Sequence, residues 1–361
     1  MSDREDQRLD FLRAAGLADA VRAPLPGDAS TRRYERLITP SGTTLMLMDQ
    51  APAAESRPCD PSWSPERRRA EGWNAVARLS AGRIDAFAAV AAHLRSIGLS
   101  APAIVAVDAA AGLAVLEDFG DALFARVIEA GQAEEPLYLA AVEALARLHE
   151  APTPDVLTGA AGDWPLQTYD ATALKGGADL FVEWMPRLEP QLQFTAEALA
   201  GWDDAWAPIV REAERHASVM AHRDYHAENL IWLPDRDGPA RVGMIDFQDA
   251  VRAHPSWDLH SLLQDARRDV SPELEARALD HYFSLRPEVD RESFMQAYAA
   301  LAALNEARIL GVFARLIVRD GKPRYRAFMP RMWAHLERNL PRAGQAVRAW
   351  FETHVPAELR R

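Results

Sequence analysis

The spacing of apolar residues near the start of the chain predicts a short helix and then an antiparallel hairpin. Apolar positions recur at helical spacing over residues 5–16, and Gly16 is placed to cap this helix. A polar turn, GDAST, precedes the strand-like run RRYERLI, and a second such run, TTLMLMDQA, follows Ser41-Gly42. We expect the helix to lean on the sheet that these strands begin.

Further along the chain the pattern becomes mainly helical. Residues 84–97 form one apolar face closed by Gly98, and the short strand-like runs IVAV and LAVLE follow. After residue 121 helical spacing dominates, interrupted by two compact strands at 229–233 and 242–246. The pattern therefore predicts an α+β chain with an antiparallel sheet first and a mostly helical second half. Residues 51–69, rich in Pro, Ser, Asp and Arg, read as a loop to which we assign no role.

Composition narrows the classes of partner. The chain has 361 residues, which suits one large two-lobed domain, and a formal charge of -12, which argues against a general nucleic-acid binder. Its single cysteine, Cys59, excludes a disulfide within the chain. The charged start MSDREDQRLD does not resemble a signal peptide, and no apolar run approaches the length of a membrane span. We expect a cytoplasmic monomer without a membrane partner.

The most informative motif is HRDYHAENLIWL, which places His222, Asp224 and Asn229 as H-x-D-x-x-x-x-N directly before a strand. The next strand ends at Asp246, and a hairpin would return it to Asn229. Phosphoryl transfer needs a carboxylate beside the attacking hydroxyl and oxygen ligands for magnesium. We therefore predict that Asp224 is the base and that Asn229 and Asp246 hold Mg²⁺. Each residue alone would more commonly be a turn or cap residue; their joint spacing favours chemistry.

These motifs resemble the aminoglycoside phosphotransferase and choline kinase-like superfamily, a branch of the protein-kinase fold. The resemblance covers most of the chain, through LEDFGD, EALARLHE, HRDYHAEN, IDFQDA and SWDLHSLLQD in that order. It implies a bilobal kinase-like fold, with an N-lobe over residues 1–117 and a C-lobe over 118–361. It also implies ATP and Mg²⁺ as cofactors, and it leaves His222 and Asp258 as structural supports of the loop, although His222 could instead participate directly.

The same resemblance implies how the nucleotide is held. The hinge near Glu117 and Phe119 would hold adenine, and the N-lobe hairpin would cover the phosphates. Its contacts would come from Asp28, Ala29, Ser30, Thr31, Arg32 and Arg33. The chain departs from the family in one respect, because LMLMDQAP stands where relatives carry a strand lysine. Lys175 and Lys322 are the only lysines. Arg32 or Arg33 would therefore have to replace that lysine, or the metal ions would have to suffice.

This pattern most closely resembles the bacterial sugar kinases of cell-wall recycling, which phosphorylate the anomeric hydroxyl of N-acetylmuramate and N-acetylglucosamine. It implies an α-1-phosphate product on the way to a UDP-sugar. Candidate sugar contacts are Tyr169, Glu183, His226 and Gln248, with core packing as the alternative for the aromatic residue. Three arginines, Arg252, Arg267 and Arg268, would suit a carboxylated sugar. A kinase for an aminoglycoside, choline or homoserine, and a nucleotide-binding pseudokinase, stay open as alternatives.

Overall fold

A five-stranded sheet and a larger set of helices make up the computed structural model, which describes residues 3–26, 32–50, 58–80 and 82–360. The strands are β1 (Val21–Pro24), β2 (Arg33–Ile38), β3 (Thr44–Asp49), β4 (Ile104–Asp108), β5 (Leu113–Glu117), β6 (Val156–Gly159), β7 (Gly162–Pro165), β8 (Val219–Ala221), β9 (Leu230–Trp232), β10 (Val242–Met244) and β11 (Val251–Ala253). The α-helices are α1 (Asp3–Ala14), α2 (Pro65–Glu71), α3 (Ile84–Ser96), α4 (Phe124–Glu129), α5 (Glu134–Glu150), α6 (Ala171–Ala178), α7 (Leu180–Leu188), α8 (Ala196–Arg215), α9 (Ser256–Leu263), α10 (Pro272–Leu285), α11 (Arg291–Val318), α12 (Met329–Ala343) and α13 (Gln345–His354).

The sheet has the strand order β1-β2-β3-β5-β4, with every neighbour antiparallel. Because successive side chains of β3 point to opposite faces of the sheet, they pack into two different hydrophobic cores. Leu47 packs with Phe11 and Leu12 of α1 on one face, whereas Met48 joins the core that contains α3 on the other. Burying an apolar side chain of this size stabilises the fold by about 1.5–3 kcal/mol. The predicted hairpin and the packing of α1 on the sheet are both confirmed.

The core beneath α3 continues into the helical lobe without a break. It includes Phe87 of α3, Leu145 of α5 and Phe247, which directly follows the predicted metal residue Asp246. The rings of Phe87 and Phe247 stack with their centroids 4.6 Å apart. A helix of the sheet lobe therefore sets the position of the segment that carries Asp246.

A second core lies among the helices of the C-lobe, around α7, α8, α11 and α12. Helix α11 passes so close to the start of α7 that a Cβ on Gly311 would lie 2.3 Å from the Leu180 carbonyl carbon. Only glycine permits this approach of two backbones. Within the described ranges, no helix has both the length and the apolarity needed to cross a membrane.

The expectation of a loop over residues 51–69 is wrong for its last five residues, which are helical. Residues 51–57 lie outside the described part of the chain, but α2 begins at Pro65 and the π-helix Asn74–Arg78 follows it. The Ser64 hydroxyl caps α2 by accepting from the Arg67 amide, at 3.3 Å. Residues 58–80, which we call the cover segment, then contact the C-lobe. Arg68 is buried and donates to Asp170, just before α6.

Candidate active site

The hairpin formed by β9 and β10 brings Asn229 and Asp246 together, as the sequence predicts. Leu230 pairs with Met244, and the Ile245 amide donates to the Asn229 carbonyl at 3.1 Å. Asp246 is the next residue, and its side chain is 43% exposed. The hairpin therefore brings the backbones of Asn229 and Asp246 together and leaves the Asp246 carboxylate accessible.

The loop that carries Asp224 is held by a buried carboxylate. Asp258, in the first turn of α9, accepts from the His222 amide at 2.6 Å and from the Arg223 amide at 2.8 Å. Burial raises the pKa of Asp258 to about 7, against the lowering effect of these two backbone donors. The predicted supporting role of Asp258 corresponds to these contacts.

His222 connects the predicted catalytic loop, residues 222–229, to the predicted metal segment, residues 245–250. Its Nε2 lies 3.0 Å from the Ile245 carbonyl oxygen, so this nitrogen carries the proton and donates. Burial lowers the pKa of His222, which keeps the ring neutral near pH 7. The imidazole therefore bridges two loop backbones, which corresponds to the structural role rather than to direct participation.

Asn229 is oriented by Asp224. Its Nδ2 donates to the Asp224 carbonyl oxygen at 2.9 Å and lies 3.2 Å from His226 Nε2. Because these contacts use the amide nitrogen, the Oδ1 atom is turned away from them and can serve as a metal ligand. Asp224 itself lies five residues before Asn229, on the same short loop.

Two residues of this site have backbone angles that L-amino acids rarely adopt. Arg223 has φ 81° and Asp246 has φ 63°. Such residues cost of order 1–3 kcal/mol each and persist where the surroundings hold them. Arg223 is held by hydrogen bonds from its guanidinium to the carbonyls of Ala77 and Arg78 in the cover segment. The same guanidinium lies 4.7 Å from the centroid of the Tyr169 ring.

Arg32 is the cation that the N-lobe places at the metal residue. It directly precedes β2, and its Nη1 donates to Asp246 Oδ1 at 2.8 Å and also to Gln248 Oε1. Its Nε donates to Gln50. The Arg32 side chain is only 2% exposed, so the guanidinium is fixed in the cleft. Arg32 is thus an N-lobe cation in direct contact with Asp246.

Arg33, the other candidate, lies on the opposite side of the strand. It is exposed and lines a cavity of about 570 Å³ between α1 and the sheet, together with Arg8 and Glu35. Met48 and Asp49, which stand where relatives carry the strand lysine, make other contacts. Met48 is buried in the core, and Asp49 pairs with Arg4 of α1 at 3.0 Å. The structure therefore favours Arg32 over Arg33.

Asp249 fixes the cover segment to the metal segment. It accepts from Arg78 Nε at 3.0 Å and from the Ser80 hydroxyl. Burial alone would raise the pKa of Asp249, but Arg78 and Arg223 together lower it to about 2, so the carboxylate is ionised. No local pattern in the sequence points to Arg78 or Ser80, because their partner lies 171 and 169 residues away.

Arg236 contacts both residues of the predicted adenine hinge, Glu117 and Phe119. Its guanidinium lies 4.9 Å from the centroid of the Phe119 ring, and its Nη2 donates to Glu117 Oε1 at 2.5 Å. A Cβ on Gly243 would lie 2.8 Å from the Phe119 ring, so the absence of a side chain there lets the ring pack on β10. The adenine contacts themselves stay a prediction.

The four predicted sugar contacts are not brought together. His226 lies beside Asn229, but Gln248 is buried and engaged by Arg32 and Asp249. Tyr169 is buried beneath Arg223, and Glu183 is exposed on α7, 3.6 Å from Arg187. Of the four, His226 alone has a described contact with the catalytic trio. The phosphate contacts predicted for Asp28, Ala29, Ser30 and Thr31 lie outside the described residues.

The donor set fits a magnesium ion that arrives with phosphates. No group of three His, Cys, Asp or Glu side chains able to hold a metal occurs in the described part of the chain. One carboxylate and one amide oxygen do not form a complete protein cage. Mg²⁺ is commonly bound by one or two carboxylates together with substrate phosphates and water. Asp246 and Asn229 suit that mode.

Together, the fold and this site define a bilobal, protein-kinase-like phosphotransferase. A model of the phosphotransferase enzyme family (APH) matches residues 21–304. The chain belongs to this family.

Individual relatives agree with that assignment. The chain is 56% identical to an N-acetylmuramate/N-acetylglucosamine kinase of Caulobacter vibrioides, over 100% of this chain and 99% of the relative. It is 28% identical to a kinase of the same name from Pseudomonas aeruginosa, over 87% and 82% of the two chains. The solved structure of a Plasmodium vivax ethanolamine kinase superposes with a TM-score of 0.56 at 12% identity, covering 95% and 88% of the chains, which shows the fold alone.

Proposed function

We propose that this enzyme transfers the γ-phosphoryl group of ATP to the anomeric hydroxyl of N-acetylmuramate and N-acetylglucosamine. The observation that carries the proposal is the 56% identity, over the full length, to a kinase named for those two sugars. The grouping of Asp224, Asn229 and Asp246 beneath Arg32 supplies the chemistry that such a transfer needs.

In the proposed mechanism, Asp224 orients the attacking hydroxyl and accepts its proton. The His222 and Arg223 amides, bound to Asp258, hold the Asp224 loop in one geometry, so the base need not be ordered at the moment of reaction. Magnesium, held by Asp246 and Asn229, would neutralise phosphate charge. Arg32 would contribute a further positive charge to the phosphates from the N-lobe side.

Arg32 and the metal compete for Asp246. With Arg32 donating to Asp246 at 2.8 Å, nucleotide binding requires the guanidinium to exchange this carboxylate for phosphate oxygens. The exchange keeps the buried guanidinium paired with an anion in both states, which avoids the cost of an unpaired buried charge.

The proposed product is the α-1-phosphate of the sugar. An anomeric phosphate retains the bond that a uridylyltransferase needs to form a UDP-sugar, so the product would return recycled cell-wall sugars to biosynthesis. We place the reaction in the cytoplasm, where ATP is available.

A panel of acceptors tests the proposal. The protein is incubated with ATP, Mg²⁺ and, separately, N-acetylmuramate, N-acetylglucosamine, choline, ethanolamine, homoserine and an aminoglycoside, and ADP release is measured. We expect acceptor-dependent turnover with the two amino sugars. Transfer to choline or an aminoglycoside in their place would establish the alternative within the fold. Absence of acceptor-dependent ADP release with every compound in the panel would favour the pseudokinase.

The variant Asp224→Ala is the matched control in this assay. It should lower turnover by about 10²–10⁴-fold with ATP affinity nearly retained, because the carboxylate acts on the acceptor hydroxyl rather than on the nucleotide. Turnover close to that of the wild type would remove Asp224 as the base.

A further inference from the structure

A partly exposed arginine stands on the acceptor side of the catalytic loop. Arg267 follows α9, and its side chain is 32% exposed. Its Nε lies 2.9 Å from Glu228 Oε2, and its Nη1 lies 3.4 Å from His226 Nε2. Both partners belong to the loop between Asp224 and Asn229. Arg267 therefore reaches the immediate surroundings of the base while keeping part of its guanidinium accessible.

The segment that carries Arg267 is held in place by other contacts. Arg331 of α12 donates to the Ala266 carbonyl oxygen at 2.7 Å and pairs with Asp269. The Arg267 amide donates to Asp265 Oδ1 at 2.9 Å. Because these hydrogen bonds fix the backbone around Arg267, binding an anion costs the guanidinium little additional conformational entropy.

Buried polar atoms beside Arg267 have no partner among the described residues. They are Nδ1 of His226 and Oδ2 of Asp265, whose side chain is 2% exposed. Buried polar groups are almost always hydrogen-bonded, so each such atom needs an explanation. Both atoms are shielded from solvent, so the accessible group here is the Arg267 guanidinium itself.

The neighbouring arginines are committed to other contacts. Arg268 pairs with Glu134 of α5 at 2.9 Å. Arg252 donates to the Thr153 carbonyl oxygen and to Asp155, at 3.1 and 2.7 Å. Of the three arginines that could suit a carboxylated sugar, Arg267 is the one whose described contacts lie on the catalytic loop.

We propose that Arg267 binds the carboxylate of N-acetylmuramate and so determines preference between the two sugars. This assignment rests on the proposed function. N-acetylmuramate differs from N-acetylglucosamine by a lactyl ether on C3, two ring carbons from the anomeric carbon. A sugar whose anomeric hydroxyl faces Asp224 could therefore place this carboxylate at Arg267, which contacts His226 and Glu228, two and four residues beyond Asp224.

The Glu228 carboxylate pairs with Arg267 and would compete with a substrate carboxylate for it. Its side chain is 44% exposed, so it can turn into solvent when a substrate carboxylate takes its place on Arg267. An exposed ion pair contributes about 0–1 kcal/mol, so the exchange costs little. A guanidinium that binds a carboxylate through two parallel hydrogen bonds forms a stronger and more specific contact than one bound through a single hydrogen bond.

The test compares kcat/KM for the two sugars in the wild type and in Arg267→Gln. Loss of a charged hydrogen bond is worth about 1.5–3 kcal/mol, so the efficiency with N-acetylmuramate should fall by about 10–150-fold, chiefly through KM. The efficiency with N-acetylglucosamine should change by much less. Arg267→Lys should retain part of the preference, and Glu228→Gln should raise the relative efficiency with N-acetylmuramate, since it removes the competing carboxylate.

Arg277→Gln is the matched control, because Arg277 forms an exposed pair with Glu135 on the surface of α10. It should leave both efficiencies unchanged. An equal fall with both sugars in Arg267→Gln, or no fall with either, would overturn the assignment while leaving the proposed function intact. Absence of transfer to both sugars by the wild type would overturn the proposed function, and this assignment with it.

Discussion

At the scale of single residues, the grouping of Asp224, Asn229 and Asp246 could be predicted because these residues lie close together in the sequence or at the ends of one hairpin. Asp224 and Asn229 are five residues apart, and β9 and β10 return Asp246 to them. The residue that replaces the lysine could only be narrowed to two adjacent arginines. Sequence reasoning could not tell which face of β2 each side chain would take. The structure separates them, with Arg32 buried at Asp246 and Arg33 exposed.

That separation leads to a prediction for ATP affinity. Arg32→Ala should raise the KM for ATP by about tenfold or more and lower kcat, because a charge-assisted contact to the phosphates is lost. Arg33→Ala is the matched control and should leave the KM for ATP near the wild-type value. Steady-state kinetics at saturating sugar measure both. An unchanged KM in Arg32→Ala, or a raised one in Arg33→Ala alone, would contradict the assignment.

At the scale of elements, local pattern predicted six strands, β2, β3, β4, β5, β9 and β10, and the helices that have a clear apolar stripe. It missed the short strands β1, β6, β7, β8 and β11, and it failed for α2. That helix is PERRRAE, in which Arg68 is buried although its residue type is usually exposed. Its burial depends on the carbonyls of Ala75 and Val76 and on Asp170, the last of which is 102 residues away. A pattern of apolar residues cannot reveal a helix whose buried face is an arginine.

The close contact between α11 and α7 gives a prediction for stability. Gly311→Ala would place its Cβ 2.3–2.6 Å from the backbone of Leu180 and Phe181, which cannot move aside as a flexible side chain would. We expect the free energy of unfolding to fall by about 1–3 kcal/mol, measured by urea denaturation.

Gly201→Ala is the matched control for this substitution. It also lies within a helix, α8, but its Cβ would lie 3.5 Å from the Trp350 ring, an ordinary contact distance. Alanine should be neutral there or stabilise the protein by about 0.5–1 kcal/mol, because glycine is the poorer helix former. Equal effects of the two substitutions would show that helix propensity, not the approach of α7, determines the outcome.

At the scale of the whole molecule, the order of motifs predicted the bilobal fold, because each motif marks a fixed part of a kinase-like chain. What the order could not provide is how the lobes are joined. One continuous core runs from Met48 through Phe87 to Phe247, and the cover segment crosses onto the C-lobe through Arg68 and Arg78. Contacts therefore cross the predicted lobe boundary at residue 117, because the core and the cover segment both join residues from its two sides.

The choice of acceptor is also a property of the whole molecule. The proposed acceptor wall combines His226 and Glu228, between Asp224 and Asn229, with Arg267, which follows α9, and with Arg331 of α12, which holds the Arg267 segment. Of the four sugar contacts predicted from the sequence, His226 alone lies at this wall by its described contacts. Residue types suggested suitable chemistry, but only the packing of α9 and α12 shows which of these side chains lie near the loop between Asp224 and Asn229.

The central claim is that the anomeric oxygen receives the phosphoryl group, and the phosphorus NMR spectrum of the product tests it most directly. The protein is incubated with ATP, Mg²⁺ and N-acetylglucosamine or N-acetylmuramate, and coupling of the new phosphorus signal to the sugar protons is recorded. We predict coupling to the proton on C1, with the α configuration. A phosphate coupled to the C6 protons, or inorganic phosphate as the sole product, would contradict the account.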